Sequence, residues 1–180
     1  DPLTGVGNRA YIRKRIEEYT SGPLASQPFA LALMDLDGFK NINDSLGHQF
    51  GDRVLQEIAG RLSHEVRGDD TVSRQGGDEF VVVPATPMDA DAAEVLAQRL
   101  QAALRERVSI DGEMLTRTVS IGVALGMPGT DSTSDLLRRA DQAVLTAKNA
   151  GGNQIAVFTD DMSLENEFRN DIELHLQTVV

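Results

Sequence analysis

The spacing of apolar and polar positions changes several times along the chain, and each change marks a predicted strand or helix. A nearly continuous apolar run at positions 29–34 is typical of a strand that is covered on both faces. Apolar residues at helical spacing predict helices over about 8–19, 38–45, 52–66, 87–107 and 134–148, with Asn8 and either Thr133 or Ser134 as N-caps of the first and last. Further strands are predicted within about 71–75, 79–84, 108–125 and 154–158, with a loop over 47–51 and a hairpin turn at Asp111 and Gly112. This order of elements predicts an α+β fold, a sheet with helices packed on it.

Two adjacent glycines, Gly76 and Gly77, separate two of the predicted strands and indicate a tight hairpin turn. Asp78 and Glu79 follow them directly. Carboxylates next to backbone that carries no side chain suit a metal ion or a phosphate-bearing ligand. An ordinary solvated turn is the alternative interpretation of these four residues taken alone.

A second acidic position lies where the buried strand ends, because Asp35 follows the apolar run directly and a predicted helix begins close after it. If this strand lies next to the glycine hairpin, Asp35 and Asp78 hold one or two divalent cations between them. Such a pair of carboxylates is used for metal-assisted phosphoryl and nucleotidyl transfer. Asp37 points to the same strand face as Asp35, but its place before Gly38 favours a role as the N-cap of the next helix.

Length and composition limit the class of protein. The 180 residues suffice for one globular domain, and the net charge of −11 argues against broad nucleic-acid binding, which needs a basic surface. A single nucleotide is compatible with this charge, because a metal ion and a few basic side chains offset phosphate charge locally. The absence of cysteine excludes disulfides and thiolate metal sites. No apolar run approaches the length of a membrane helix, and no signal segment is found at the start.

Residues 76–80 spell Gly-Gly-Asp-Glu-Phe, and further short motifs accompany this pentapeptide in order along the chain. They are Asp1-Pro2-Leu3-Thr4-Gly5, Gly7-Asn8-Arg9, Asp35-Leu36-Asp37, Phe39-Lys40, Asn43-Asp44, Gly47-His48, Gly51-Asp52, Ser120-Ile121-Gly122-Val123 and Ala140-Asp141-Gln142-Ala143. With this ordered series, residues 1–158 resemble the GGDEF family of diguanylate cyclases. The resemblance implies a central, mostly antiparallel five-stranded sheet flanked by helices, of the kind shared with nucleotidyl cyclases and polymerase palms.

The resemblance also implies a reaction and the residues that perform it. Two GTP molecules condense into cyclic di-GMP and two pyrophosphates, with Mg²⁺ or Mn²⁺ as the cofactor and two domains meeting as a transient homodimer. The implied metal ligands are Asp35, the Leu36 carbonyl, Asp78 and Glu79, and the implied catalytic residues are Asp78 as the base, Glu79, and Lys40 as the stabiliser of the transition state. The implied substrate contacts are Asn43, His48, Asp52, Gly76, Gly77 and Lys148, of which Asn43 and Asp52 recognise the guanine edge.

Two further features bear on nucleotide and product binding. Gly152 stands where the family has an arginine that grips the terminal phosphates, so Lys148 is expected to hold them alone and to bind GTP more weakly. Arg67 and Asp70 form an Arg-x-x-Asp motif before the signature. This motif resembles the family's inhibitory cyclic di-GMP site, and Arg99 is a candidate second arginine there.

Residues 159–180 differ from the rest, since their apolar residues lie among acidic and amide side chains in a pattern that predicts an exposed amphipathic helix. This segment resembles the connector between GGDEF domains and a following EAL phosphodiesterase domain, with an expression tail or a dimer-contact helix as the alternatives. The chain begins at Asp1 rather than Met. We therefore interpret it as a fragment of a longer protein with EAL and sensor domains, located in the cytoplasm or forming the cytoplasmic part of a membrane-anchored protein.

Three functions fit these residues. The first is an active diguanylate cyclase, which the intact Asp35, Asp78 and Glu79 favour. The second is a regulatory module that binds GTP without turnover and controls an adjacent EAL domain, which Gly152 and the connector-like tail favour. The third is a cyclic di-GMP receptor that acts through the Arg-x-x-Asp motif.

Overall fold

A five-stranded sheet with helices on both faces forms the centre of the molecule. In the computed structural model, which describes residues 1–177, the helices are α1 (Arg9–Thr20), α2 (Phe39–Leu46), α3 (His48–Glu65), α4 (Ala90–Arg105), α5 (Thr133–Asn149) and α6 (Asp160–Gln177). The strands are β1 (Phe29–Leu36), β2 (Thr71–Gly76), β3 (Glu79–Val83), β4 (Val108–Ile110), β5 (Glu113–Leu115), β6 (Val119–Gly126) and β7 (Ile155–Val157). The large sheet has the order β2-β3-β1-β6-β7, in which β6 and β7 are parallel and the other neighbours antiparallel. The predicted α+β fold with a mostly antiparallel five-stranded sheet is therefore confirmed.

β1 lies in the middle of this sheet and has side chains in the core on both faces. Ala32 and Met34 belong to the core that includes α2, α3 and α4, whereas Leu31 and Leu33 belong to the core that includes α1 and α5. A strand covered on both faces needs the continuous apolar run that the sequence shows. Because side chains alternate along a strand, Asp35 continues the face that α1 and α5 cover.

The loop predicted over 47–51 is wrong, because α3 begins at His48 and follows α2 directly. Gly47, with a φ of +88°, makes the turn between the two helices. The backbone N–H of Gly51 donates to the carbonyl of Gly47 at 3.1 Å, and Phe50 is buried. The helix therefore starts four residues before the predicted position 52, and Phe50 packs its first turn against the core.

One predicted helix cap differs from the structure, and one predicted hairpin turn agrees with it. α5 is capped by Ser132, whose hydroxyl accepts a hydrogen bond from the Asp135 backbone N–H at 3.1 Å, and not by either of the two residues after it. The predicted hairpin turn at Asp111 and Gly112 is confirmed, since both residues have positive φ angles between β4 and β5. β4 and β5 form a small two-stranded sheet of their own.

α6 lies within the segment 159–180 that the sequence predicts to be an amphipathic helix, and residues 178–180 fall outside the described part of the chain. The Ser163 hydroxyl donates to the side-chain oxygen of Gln142 in α5 at 3.0 Å. Leu164, Phe168 and Leu176 are exposed. The domain boundary at 158 and the connector role stay predictions. None of the described helices is both long enough and apolar enough to cross a membrane.

Gly122 in β6 sets how closely α5 approaches the sheet. A Cβ atom there would overlap the carbonyl oxygen of Ala140 and lie 2.5 Å from the backbone nitrogen of Val144. We expect Gly122→Ala to lower the free energy of unfolding by about 1–3 kcal/mol through overpacking, as measured by urea denaturation. Gly60→Ala is the control, because an added methyl group at this helical position meets no atom within 4 Å and should raise stability by about 0.5–1 kcal/mol. Equal effects of the two substitutions would contradict the close contact between α5 and β6.

Candidate active site

The residues with predicted metal-binding roles meet where β1 ends and the β2–β3 hairpin turns. β1 pairs with β3 so that Asp35 lies opposite Glu79. Gly77 and Asp78 connect β2 to β3, and the φ of +48° at Gly77 is one that glycine adopts readily. Gly76 and Gly77 are exposed, and an added Cβ at either would meet no atom within 4 Å. The turn beside Asp78 is therefore open to a ligand.

Acidic side chains crowd this junction, and we call Asp35, Asp78, Glu79 and Asp141 the acidic group. Burial, then a hydrogen bond with the Asp35 carboxyl group and the charge of Asp35, raises the pKa of Asp78 to about 7. Burial and then the charges of Asp35 and Asp141 raise the pKa of Glu79. Burial and the charge of Asp35 also raise the pKa of Asp141. The junction thus concentrates negative charge that a bound cation would stabilise.

Lys148 forms an ion pair with the acidic group. It lies in the last turn of α5, and its Nζ is 3.0 Å from Asp35 Oδ1. Its charge opposes the upward shifts in the pKa values of Asp78 and Glu79. The sequence predicts that Lys148 binds phosphate. In the structure it lies beside the acidic group, and its ammonium group pairs with the Asp35 carboxylate.

The donor set of this junction fits a hard divalent cation. Mg²⁺ and Mn²⁺ take carboxylate and carbonyl oxygens as ligands, and Asp35, Leu36 and Asp78 supply such oxygens where β1 ends and the hairpin turns. Burial, and then the contact with the Asp35 carboxyl group, raises the pKa of Asp78, and a divalent cation would stabilise the ionised form of both groups. Within residues 1–177, no three acidic or histidine side chains have the spacing of a complete metal site. The fit therefore depends on two carboxylates with backbone or substrate oxygens.

The N-cap role predicted for Asp37 is wrong. Gly38, in the left-handed region, precedes α2, and no side chain caps this helix. The Asp37 carboxylate instead accepts hydrogen bonds from the hydroxyls of Thr118 and Ser120, both at 2.7 Å, and from the backbone N–H of Asn153 at 2.8 Å. Asp37 turns away from the helix because three donors from β6 and the α5–β7 loop surround its carboxylate. It therefore ties the end of β1 to both of these segments.

Gly152 lies in the same α5–β7 loop, in a conformation that disfavours any side chain. Its φ is +72°, and Gly151 and Asn153 on either side also have positive φ angles. A Cβ at Gly152 would be 3.3 Å from atoms of the Asp37 carboxyl group. The loop therefore fits glycine at the position where the resemblance leads one to expect arginine.

The predicted substrate contacts lie along the α2–α3 junction rather than among the acidic group. The Oδ1 atom of Asn43 in α2 is buried without a hydrogen-bond partner, and a Cβ on Gly51 would overlap it. His48 and Asp52 are exposed near the start of α3, and Lys40 is exposed in the first turn of α2. In the described part of the chain, none of these polar side chains forms a hydrogen bond or ion pair with the acidic group. A ligand that contacts both sets would have to span them.

The predicted product-binding residues line one groove. Arg67, Asp70 and Arg99 of α4 all border a groove of about 440 Å³. The Asp70 carboxylate accepts hydrogen bonds from the backbone N–H groups of Arg67 and Ala85, both at 2.9 Å. Arg99 donates to the carbonyl of Glu65 at 3.0 Å. Asp70 therefore also shapes the turn before β2, a role that the sequence did not indicate.

Three residues without a predicted role contact or influence the site. Asp141 raises the pKa of Glu79, and Arg9 at the start of α1 lowers it. The i, i+7 spacing of Asp141 and Lys148 on α5 was a usable signal, because it puts both on one helix face. Arg74 in β2 donates to the Gly77 carbonyl at 2.8 Å and thereby holds the hairpin turn. The positions of the two arginines depend on tertiary contacts and carried no local signal.

Known proteins share this fold and these motifs. The family model described as "Diguanylate cyclase, GGDEF domain" matches residues 1–154. An uncharacterised protein of Mycobacterium tuberculosis is 52% identical over 177 residues, covering 98% of this chain and 28% of the relative. The diguanylate cyclase DgcP of Pseudomonas aeruginosa is 41% identical over 160 residues, covering 87% of this chain and 23% of the relative. The isolated GGDEF domain of the P. aeruginosa protein TpbB, or YfiN, superposes with a TM-score of 0.84 at 31% identity, covering 93% of this chain and 98% of that structure. The chain thus spans about a quarter of the length of these two curated relatives.

In the absence of a cation, Asp78→Asn should stabilise the protein, because it removes a carboxylate that is partly buried and lies against the Asp35 carboxyl group. The folded-state pKa of about 7 lies above the ordinary value of 3.8, so Asp78 reduces native-state stability as the pH rises from 3.8 to 7. The gain from the substitution should therefore be full above pH 7 and vanish as the pH falls towards 4. Urea unfolding in EDTA across this range measures it.

Asp69→Asn, at an exposed loop position, is the control for this experiment and should change stability little at any pH. A gain from Asp78→Asn that is the same at pH 5 and pH 8 would contradict the raised pKa of Asp78.

Mn²⁺ should raise the melting temperature of the parent more than that of Asp78→Asn, because binding to the native state stabilises it.

Proposed function

Since the chain belongs to the GGDEF family of diguanylate cyclase domains, we propose that it condenses two GTP molecules into cyclic di-GMP and two pyrophosphates. The observation that carries this proposal is the contact between Asp35 and Asp78 at the end of β1, with Lys148 balancing part of their charge. Nucleotidyl transfer needs neutralisation of phosphate charge and a proton acceptor next to the attacking hydroxyl. Groups of both kinds converge at this junction.

Asp35, Asp78 and the Leu36 carbonyl are the proposed ligands of Mg²⁺ or Mn²⁺, with Glu79 in support. The bound ion supplies neutralisation of phosphate charge and alignment of the reacting groups. Asp78 is the proposed acceptor of the proton from the 3′-hydroxyl of GTP. A carboxylate placed next to the attacking hydroxyl is a suitable general base.

Lys148 and Lys40 are the proposed phosphate-binding cations. Lys148 is within 3.0 Å of Asp35, so an incoming triphosphate competes with that carboxylate for its ammonium group. Lys40 is exposed in the first turn of α2 and stabilises the charge of the transition state. Gly152 supplies no charge-assisted contact, which is worth about 1.5–3 kcal/mol. GTP binding should therefore be weaker than in a site with arginine at this position.

Asn43, His48 and Asp52 are the proposed contacts to the guanine end of the nucleotide. They lie along the α2–α3 junction, and a GTP molecule bound there and at the acidic group would join the two sets of residues. The exposed Gly76 and Gly77 let the nucleotide approach the hairpin backbone closely.

Two copies of the domain are needed for one turnover, because one acidic group serves one nucleotide and the product contains two. The active form is therefore a transient homodimer, and the rate per domain should rise with protein concentration. Control by EAL and sensor domains in a longer protein is a further proposal, supported by the short span of this chain within its relatives.

A second candidate function is a regulatory module that binds cyclic di-GMP. The observation that favours it is the groove between the turn before β2 and α4, where Arg67 and Arg99 border apolar side chains such as Val95. Arginine suits phosphate oxygens. The Asp70 carboxylate accepts hydrogen bonds from two backbone N–H groups and has further lone pairs that could accept from guanine.

Nucleotide turnover at high protein concentration tests the proposed cyclase. The parent protein, incubated with GTP and Mg²⁺, should form cyclic di-GMP that chromatography separates from the substrate. Asp78→Ala should reduce the rate at least about 100-fold, since general base catalysis contributes at least that much. Asp69→Ala, at an exposed loop position, is the control and should retain the parent rate. If a covalently joined pair of parent domains binds GTP but forms no product, the cyclase proposal is wrong and the regulatory module is favoured.

Calorimetric binding of cyclic di-GMP tests the second candidate. Arg67→Ala should weaken binding about tenfold or more through loss of a charge-assisted contact, whereas Asp78→Ala should bind as the parent does. Arg105→Ala, at an exposed position in the last turn of α4, is the matched control. Unchanged binding by Arg67→Ala would rule out the groove as the product site.

A further inference from the structure

Arg117, between β5 and β6, carries a charge that no described side chain pairs with. Its Nε atom is buried without a hydrogen-bond partner, and within residues 1–177 its guanidinium group forms no hydrogen bond or ion pair. Removing a cation from water without a partner is unfavourable, because the lost hydration is not replaced. An unpaired, partly buried guanidinium group therefore points to a negatively charged ligand.

Arg61 lines the same cavity as Arg117, but its guanidinium group has protein partners. Arg61 and Arg117 both line a narrow cavity between α3 and the β4–β5 hairpin. Arg61 pairs with Glu57 at 2.9 Å and donates to the carbonyls of Ala103 and Glu106 at the end of α4. The two carbonyl contacts hold α3 to the end of α4, and Arg117 takes part in none of these interactions. Packing in this cavity explains why the apolar stem of Arg117 is buried there. It does not explain why the residue carries a charged group.

Two hydrogen bonds of the next residue, Thr118, hold Arg117 beside the turn that joins β1 to α2. The carbonyl of Thr118 accepts a hydrogen bond from the Asp37 backbone N–H at 3.0 Å, and the Thr118 hydroxyl donates to the Asp37 carboxylate at 2.7 Å. Arg117 Nη1 lies 3.9 Å from the place that a Cβ atom would take on Gly38. This turn follows Asp35 directly along the chain and leads to Lys40, so the guanidinium group lies beside the segment that links these two residues.

We propose that Arg117 binds a phosphate group of the nucleotide at the β1–α2 turn, an inference that rests on the proposed cyclase function. A guanidinium group matches the geometry and charge of phosphate oxygens. Lys148 is shared between Asp35 and the phosphates, and Gly152 has no side chain, so Arg117 would add a cation to the two proposed lysines. Gly38 has no side chain either, and its φ of +72° makes glycine the favoured residue there, which leaves the Arg117 side of the turn open.

Calorimetric binding of GTP and of guanosine, both with Mg²⁺, tests this assignment. Arg117→Met keeps an apolar stem in the cavity and removes the charge. It should weaken GTP binding at least about tenfold, and change guanosine binding less than about twofold. Arg117→Lys should recover part of the GTP affinity, because it restores the charge without the planar fork. Arg105→Met, at an exposed position of α4, is the control and should bind both compounds as the parent does.

The comparison of the two compounds separates a phosphate contact from a structural role. Equal weakening of GTP and guanosine binding by Arg117→Met would overturn the assignment, because only GTP carries phosphates. Unchanged GTP binding would also overturn it and leave the proposed cyclase intact. Failure of the parent to bind GTP would overturn both. Arg117→Gln replaces the methionine variant, with the same expected outcomes, if the latter does not fold.

Discussion

The mutual repulsion of carboxylates at the end of β1 is the constraint on which the candidate site depends. Asp35 lies opposite Glu79 in the paired strands and shares a hydrogen bond with Asp78 of the adjoining turn. In an unfolded chain these acids would be solvated and apart, so the raised pKa of Asp78 reports the free-energy cost of burying its carboxylate and of holding it beside Asp35. The apolar core on both faces of β1 fixes the strand pairing that opposes this repulsion, and Lys148 offsets part of it.

Two contacts behind the acids set the distance between Asp35 and Lys148. Gly122 allows the backbone of α5 to lie directly on β6, and Asp37 ties the end of β1 to β6 and to the loop after α5. Gly122 and Asp37 therefore act on the site through the positions of other residues and not through contact with a substrate. Gly152 lies in the loop that Asp37 holds, and Arg117 has no hydrogen-bond or ion-pair partner among residues 1–177. In the proposed mechanism, Arg117 before β6 supplies a phosphate contact that the loop after α5 lacks, in addition to Lys148 and Lys40.

Local patterns in the sequence predict much of the fold and the centre of the site. The apolar run before Asp35 predicts the central strand, and the two glycines before Asp78 predict the hairpin turn, so the meeting of these acids was expected. Asp37 was assigned wrongly because capping preference is local, whereas its partners Thr118 and Asn153 are 81 and 116 positions away. Arg117 gave no signal for the same reason. The unexpected early start of α3 likewise reflects burial and not a pattern within the helix.

The position of Mn²⁺ in crystals grown with Mn²⁺ and a non-hydrolysable GTP analogue is the most direct measurement of what the acidic group does. Anomalous scattering locates the ion independently of the protein atoms. We predict a peak held by Asp35 and Asp78, with Lys148 Nζ moved from Asp35 to a phosphate oxygen. A bound nucleotide with no Mn²⁺ at these carboxylates, and with Lys148 still 3.0 Å from Asp35, would contradict the conclusion that this junction binds a cation and a triphosphate.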